Sequence, residues 1–82
     1  MDDYTYINYQ NKPYFNVGIA NQWFEKGCFY SKGKYFFYAD DRHENYYEVE
    51  LIAETKQDFI AYCKTKGIKI PVIFLSMVKR MQ

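Results

Sequence analysis

One histidine, His43, stands in the run Asp40-Asp41-Arg42-His43-Glu44 beside three carboxylates, and two cysteines, Cys28 and Cys63, lie far apart along the chain. These are the side chains whose types invite chemistry. An imidazole among carboxylates can hold a cation or move a proton. A zinc site, however, draws on several His and Cys ligands at set spacings, and a calcium loop needs a turn glycine and a closing glutamate. The run has neither frame, so it reads as a solvated loop, with no metal and no cofactor expected. A thiolate–imidazole pair needs its two groups in contact, and nothing in the spacing brings Cys28 or Cys63 to His43. Both cysteines are expected to be free thiols packed as small hydrophobes. The chain has no phosphate-cradling glycine loop, no nucleophile elbow, no His-Glu-x-x-His and no dinucleotide fingerprint. An enzyme is therefore not expected, and no catalytic residue is assigned.

The stronger signal is aromatic. Of the 18 aromatic residues, 15 lie between Tyr4 and Tyr47, and nine of those are tyrosines. Tyrosine and phenylalanine fit the half-buried pleat of a sheet, and exposed tyrosine gives stiff contact area at low entropic cost, so the same residues serve a fold or a binding face.

At 82 residues the chain is read as one domain, 1–82, with enough apolar content to fold alone. No apolar run approaches the roughly 20 residues that cross a bilayer. The opening Met1-Asp2-Asp3-Tyr4 lacks the basic and apolar regions of a signal peptide, so a cytoplasmic location is expected. Phe, Tyr, Met, Ile, Asn and Lys fill half the chain, a bias of AT-rich codons that fits a low-GC bacterium or one of its phages. Charge is near balance overall but uneven. Residues 40–54 carry Asp40, Asp41, Glu44, Glu48, Glu50 and Glu54 against Arg42. Residues 56–82 carry Lys56, Lys64, Lys66, Lys69, Lys79 and Arg80 against Asp58. Partner choice follows such local fields more than net charge.

The elements that position these residues follow from periodicity. Tyr4 to Tyr9 and Tyr14 to Ile19 read as strands joined by a turn at Gln10 to Pro13, with Phe15, Val17 and Ile19 on the inner face of the second. Ala20 to Tyr30 reads as extended with a turn at Gly27. Ser31-Lys32-Gly33-Lys34 reads as a turn into a strand from Tyr35 to Ala39. Asp40 to Asn45 reads as a six-residue loop before a strand from Tyr46 to Ala53. Thr55, with Asp58 three positions on, opens a helix that Gly67 stops, its inner face holding Phe59, Ile60 and Cys63. Pro71 starts a second helix with Phe74, Met77, Val78 and Met81 at helical spacing; a short buried strand over Ile70 to Leu75 competes with it. The expected fold is α+β: an N-terminal antiparallel sheet of three to five strands packed by one or two C-terminal helices, with aromatics in the sheet and aliphatics under the helices.

A six-residue loop places Ala39 opposite Tyr46, Phe37 opposite Glu48 and Tyr35 opposite Glu50. One face of that hairpin then holds Phe36, Tyr38, Tyr47, Val49 and Leu51, which reads as core. The other holds Tyr35, Phe37 and Tyr46 among Glu48 and Glu50, with Asp40, Asp41 and Glu44 at the tip. That aromatic patch rimmed by acid is the expected partner-binding site. It predicts a non-enzymatic inhibitor or adaptor that docks on a basic protein surface, such as that of a nucleic-acid-binding protein. One alternative is a single-stranded nucleic-acid module using Lys32, Lys34, Lys64, Lys66, Lys69, Lys79 and Arg80, since Lys32 to Tyr38 interleaves cations with rings on which bases stack. A second alternative is a homo-oligomer with a self-complementary aromatic face.

Overall fold

The computed structural model describes residues 12–21 and 23–81. Strands β1 (Tyr14–Asn21), β2 (Phe24–Ser31), β3 (Lys34–Asp41) and β4 (Tyr46–Ala53) form one antiparallel sheet in sequential order, followed by helices α1 (Lys56–Lys66) and α2 (Val72–Met81). This is the α+β arrangement that the sequence predicts. The strand expected over Tyr4 to Tyr9 lies outside the described residues.

Local chemistry explains most of the punctuation. Lys32 and Gly33 take positive φ of 52° and 82°, the pair that a two-residue type I′ hairpin turn requires, and Ser31 comes opposite Lys34. Thr55 caps α1 by accepting the backbone N–H of Asp58 at 3.1 Å, and Gly67 ends it in the left-handed region at φ 72°. Residues 72–81 are helical, not a strand. Pro71 lacks an N–H to lose there, and its carbonyl accepts the N–H of Phe74.

Four expectations are corrected. Gly27 is not a turn but lies inside β2, opposite Tyr38, and the chain reverses instead between Asn21 and Phe24. A Cβ on Gly27 would stand 2.5 Å from both the Phe15 carbonyl oxygen and the Tyr38 hydroxyl, so its missing side chain makes room for a neighbouring strand and ring. Val17 is not on the inner face. β1 carries an extra residue there, because Asn16 pairs with Gly27 and Gly18 with Lys26, and Val17 is exposed. Ile60 on α1 is exposed while Phe59 and Cys63 are buried. The core under the helices is aromatic at its centre, with aliphatics such as Val78, Ile68 and Leu75 around it: Phe59 stacks on Tyr35 at 4.4 Å between centroids, and Phe74 meets Phe15 edge-on at 4.8 Å.

The hairpin loop is also shorter than expected. Strands run to Asp41 and resume at Tyr46, leaving Arg42 to Asn45 as the loop. The Asp41 carboxylate accepts the N–H groups of His43 (3.1 Å) and Glu44 (3.2 Å), and Asn45 takes φ 55°. Aspartate and asparagine bend chains in this way because their side chains substitute for a backbone acceptor and tolerate the left-handed region. Ala39 thus faces Glu48, Phe37 faces Glu50 and Phe36 faces Leu51. The slip is two residues, so each residue keeps its face mates. Ile52 is an extra residue before Ala53 meets Tyr35.

Candidate functional site

The helices cover the face of the sheet that carries Tyr35 and Phe37, contrary to expectation, although Tyr38 on the other face is buried as expected. Tyr35 is 1% exposed at the centre of the core, and Phe37 packs against its edge. Burial beside Phe59 and Tyr30 pushes the Tyr35 phenol above its ordinary range. Tyr35 is out of reach of a partner, and Phe37 is only partly exposed. Asp40 is also removed from the proposed rim. It is fully buried on the opposite face, 3.4 Å from Arg42, whose guanidinium also bonds Glu25 at 2.7 Å. Arg42 thereby closes a polar cluster that ties three strands together. In it Asn16 donates to Glu25 (2.7 Å) and to the Tyr38 hydroxyl (3.2 Å), and that hydroxyl donates to Glu25. No local pattern announces this cluster, since its members come together only through strand pairing.

Asp41 serves its own loop. What remains of the expected site is Tyr46, Glu44, Glu48 and Glu50, all exposed. Tyr46 is 51% exposed, and its phenol is raised chiefly by donating a hydrogen bond to the Glu48 carboxylate. β4 is an edge strand, with β3 on one side and, among the described residues, no strand on the other. Its opposite face presents Val49 and Leu51, 40% and 46% exposed, beside Tyr38 and Phe36. The alternation that predicts Val49 and Leu51 as core is real. It places them on the face that the helices leave uncovered.

The cations are placed separately. Lys64 and Lys66 end α1, Lys79 and Arg80 end α2, Lys69 lies between the helices, Lys32 lies in the β2–β3 turn and Lys34 follows it. Cations in the last turn of a helix balance its carbonyl end, which gives four of them a local role. The rings after Lys34 are engaged in packing, with Tyr35 buried and Phe36 stacked on Phe29 at 5.1 Å. Of the surface hollows, one is lined by Lys12, Pro13, Met77, Arg80 and Met81 and another by Lys56, Leu75, Val78 and Lys79. Neither gathers a nucleophile and a base. His43 is exposed, and among the described residues no group of three or more His, Cys, Asp or Glu could hold a metal. No described helix is long and apolar enough to cross a membrane.

The two thiols, distant in sequence, meet in the core. Cys28 on β2 and Cys63 on α1 are free and buried, and each influences the ionisation of the other. Burial first, then the neighbouring Cys63, pushes the Cys28 thiol up to about 12 from 9.0. A thiol so disfavoured as thiolate is a poor nucleophile. Neither cysteine is expected to react with iodoacetamide at about pH 8 except as fast as the chain opens, and rapid alkylation of the folded protein would contradict this. Because the folded pKa is raised, the associated stability is whole below pH 9.0 and declines as pH climbs toward about 12.

No protein-family model matches the chain, and no curated protein or solved structure is significantly similar to it.

Proposed function

We propose that the chain is a small protein-binding module, an inhibitor or adaptor acting in a bacterium or phage-infected cell, that docks on a basic protein surface through the β3–β4 hairpin. The observation that carries this reading is the exposure of β4. Tyr46, Glu48 and Glu50 stand out on one face, with Glu44 at the loop and Glu54 just beyond the strand. From Tyr46 to Glu54 there is no cation, and among the described residues none of Glu44, Glu48, Glu50 and Glu54 is ion-paired. Four uncompensated carboxylates beside an exposed tyrosine attract a basic surface, speed encounter with it, and repel nucleic-acid phosphates. An aromatic anchor within a charged rim is also the usual make-up of an interface hot spot.

The triple reversal E44K/E48K/E50K tests the reading. All three side chains are exposed, so the variant is expected to fold, as circular dichroism would show. From nuclease-treated bacterial lysate, the native chain is expected to retain one stoichiometric protein through a moderate salt wash. The variant is expected to bind that protein roughly a hundredfold more weakly. Equal retention by both, or by neither, would sink the proposal.

A further inference from the structure

The geometry points to strand addition as the way in which β4 takes its partner: an extended segment of another protein, alternating basic and apolar residues, pairs with the edge of the sheet that no strand among the described residues occupies. This rests on the protein-binding reading above and specifies the segment recognised. An edge strand offers a row of backbone donors and acceptors along its outer side, and natural sheets usually guard such edges. β1, the other outer strand among the described residues, carries two bulges, at Val17 and Ala20, that break its register. β4 is in unbroken register from Tyr46 to Leu51, with no proline.

The side chains of β4 set the chemistry of the neighbour. Residues of an added strand on the helix side would fall beside Tyr46, Glu48 and Glu50, and those on the other side beside Val49 and Leu51. Opposite charges across a strand pair are favourable and like charges are not. Lysine or arginine at every second position, with aliphatic residues between, therefore satisfies both faces at once.

A second copy of this chain does so poorly in the central registers. In any two-fold antiparallel pairing of β4 with itself, residues on one face meet residues on the same face. Centring the pair on Val49 sets Glu48 against Glu50 twice, while centring it on Glu48 or Glu50 sets that residue against its own copy. Glu48 and Glu50 thus act as the guard of this edge against self-association and as its selector for a basic strand.

The test uses a peptide of alternating lysine and valine, eight residues long like β4, added to the labelled full chain and followed by amide NMR. Shift changes and new exchange protection are expected across residues 46–53. E48K/E50K is expected to weaken binding at least about tenfold, as is a block peptide with its lysines together at one end. Methylating the peptide nitrogens decides the mode. Along a strand, alternate residues direct their N–H groups to opposite sides, so N-methylation of either the lysines or the valines, but not both, is expected to weaken binding about tenfold. Equal affinity of both methylated peptides would mean attachment through side chains alone and would overturn strand addition, as would absence of binding. A concentration-dependent dimer protecting the same amides without peptide would overturn it in favour of a second copy. If the peptide fails while lysate capture still depends on the glutamates, the module reading stands without this mode. If the peptide binds as expected but the lysate contrast is lost, the edge is established and the module reading falls.

Discussion

Phe59→Ala is expected to lower stability by about 3–5 kcal/mol, a large share of the roughly 5–15 kcal/mol that holds a small domain folded. Phe59 is wholly buried, stacked on Tyr35 at 4.4 Å with planes 13° apart, and its ring lies 5.7 Å from that of Phe74 and 6.4 Å from that of Phe15. It is the contact through which α1, α2 and the sheet share one core. Truncation removes the transfer free energy of a phenyl ring and leaves a void that its three ring neighbours cannot close. Urea denaturation followed by aromatic circular dichroism measures the loss, as a lower midpoint at unchanged slope. Phe59→Leu, which keeps most of the volume, is expected to recover much of it. A Phe59→Ala midpoint near the native one would mean that α1 does not anchor the helices.

Gly27→Ala is expected to be nearly as damaging, although it adds only a methyl group. That carbon would stand 2.5 Å from the Tyr38 hydroxyl, 2.6 Å from its ring and 2.5 Å from the Phe15 carbonyl oxygen. A tyrosine side chain alone can rotate aside, but the carbonyl belongs to the backbone of β1. Relief therefore requires moving a strand, which places the cost at or above the upper end of the about 1–3 kcal/mol typical of overpacking. The Tyr38 hydroxyl would also leave Asn16 and Glu25, its partners at 3.2 and 3.3 Å. The same denaturation measurement applies. Adding Tyr38→Phe to Gly27→Ala is expected to restore little, because the carbonyl clash persists. Full recovery in that double variant would locate the conflict in the hydroxyl alone.

These two residues also mark how far the sequence could be read. Where one residue type has one local use, the reading holds: Lys32-Gly33 as a hairpin turn, Thr55 and Asp58 as a helix start, Gly67 as its stop, Pro71 before α2. Gly27 has two uses, turning a chain or admitting a close neighbour, and only the pairing with Tyr38 separates them. The hairpin face was ambiguous for a related reason. Tyr35 and Phe37 alternate with Phe36 and Tyr38, so both faces of β3 are aromatic and alternation cannot say which one the helices cover. The loop length misled because Asp40 and Asp41 look like loop residues. In the folded chain one is buried near Arg42 and the other holds the loop's amides. The surviving part of the expected site, Tyr46 with Glu44, Glu48 and Glu50, was legible because exposed charge on a strand needs no tertiary information to be placed outside.

The sequential order of the strands has a consequence for how the chain is made. Each strand pairs with the one before it, so no pairing closes a loop longer than a hairpin, and the entropy of closure is met in small steps. The cover comes last. Phe15, Tyr30 and Tyr35 leave the ribosome ahead of Phe59 and Phe74, which pack against them. At about 5–20 residues per second, the aromatic face of the nascent sheet waits some seconds for its helices. During that interval the face is apolar surface open to aggregation.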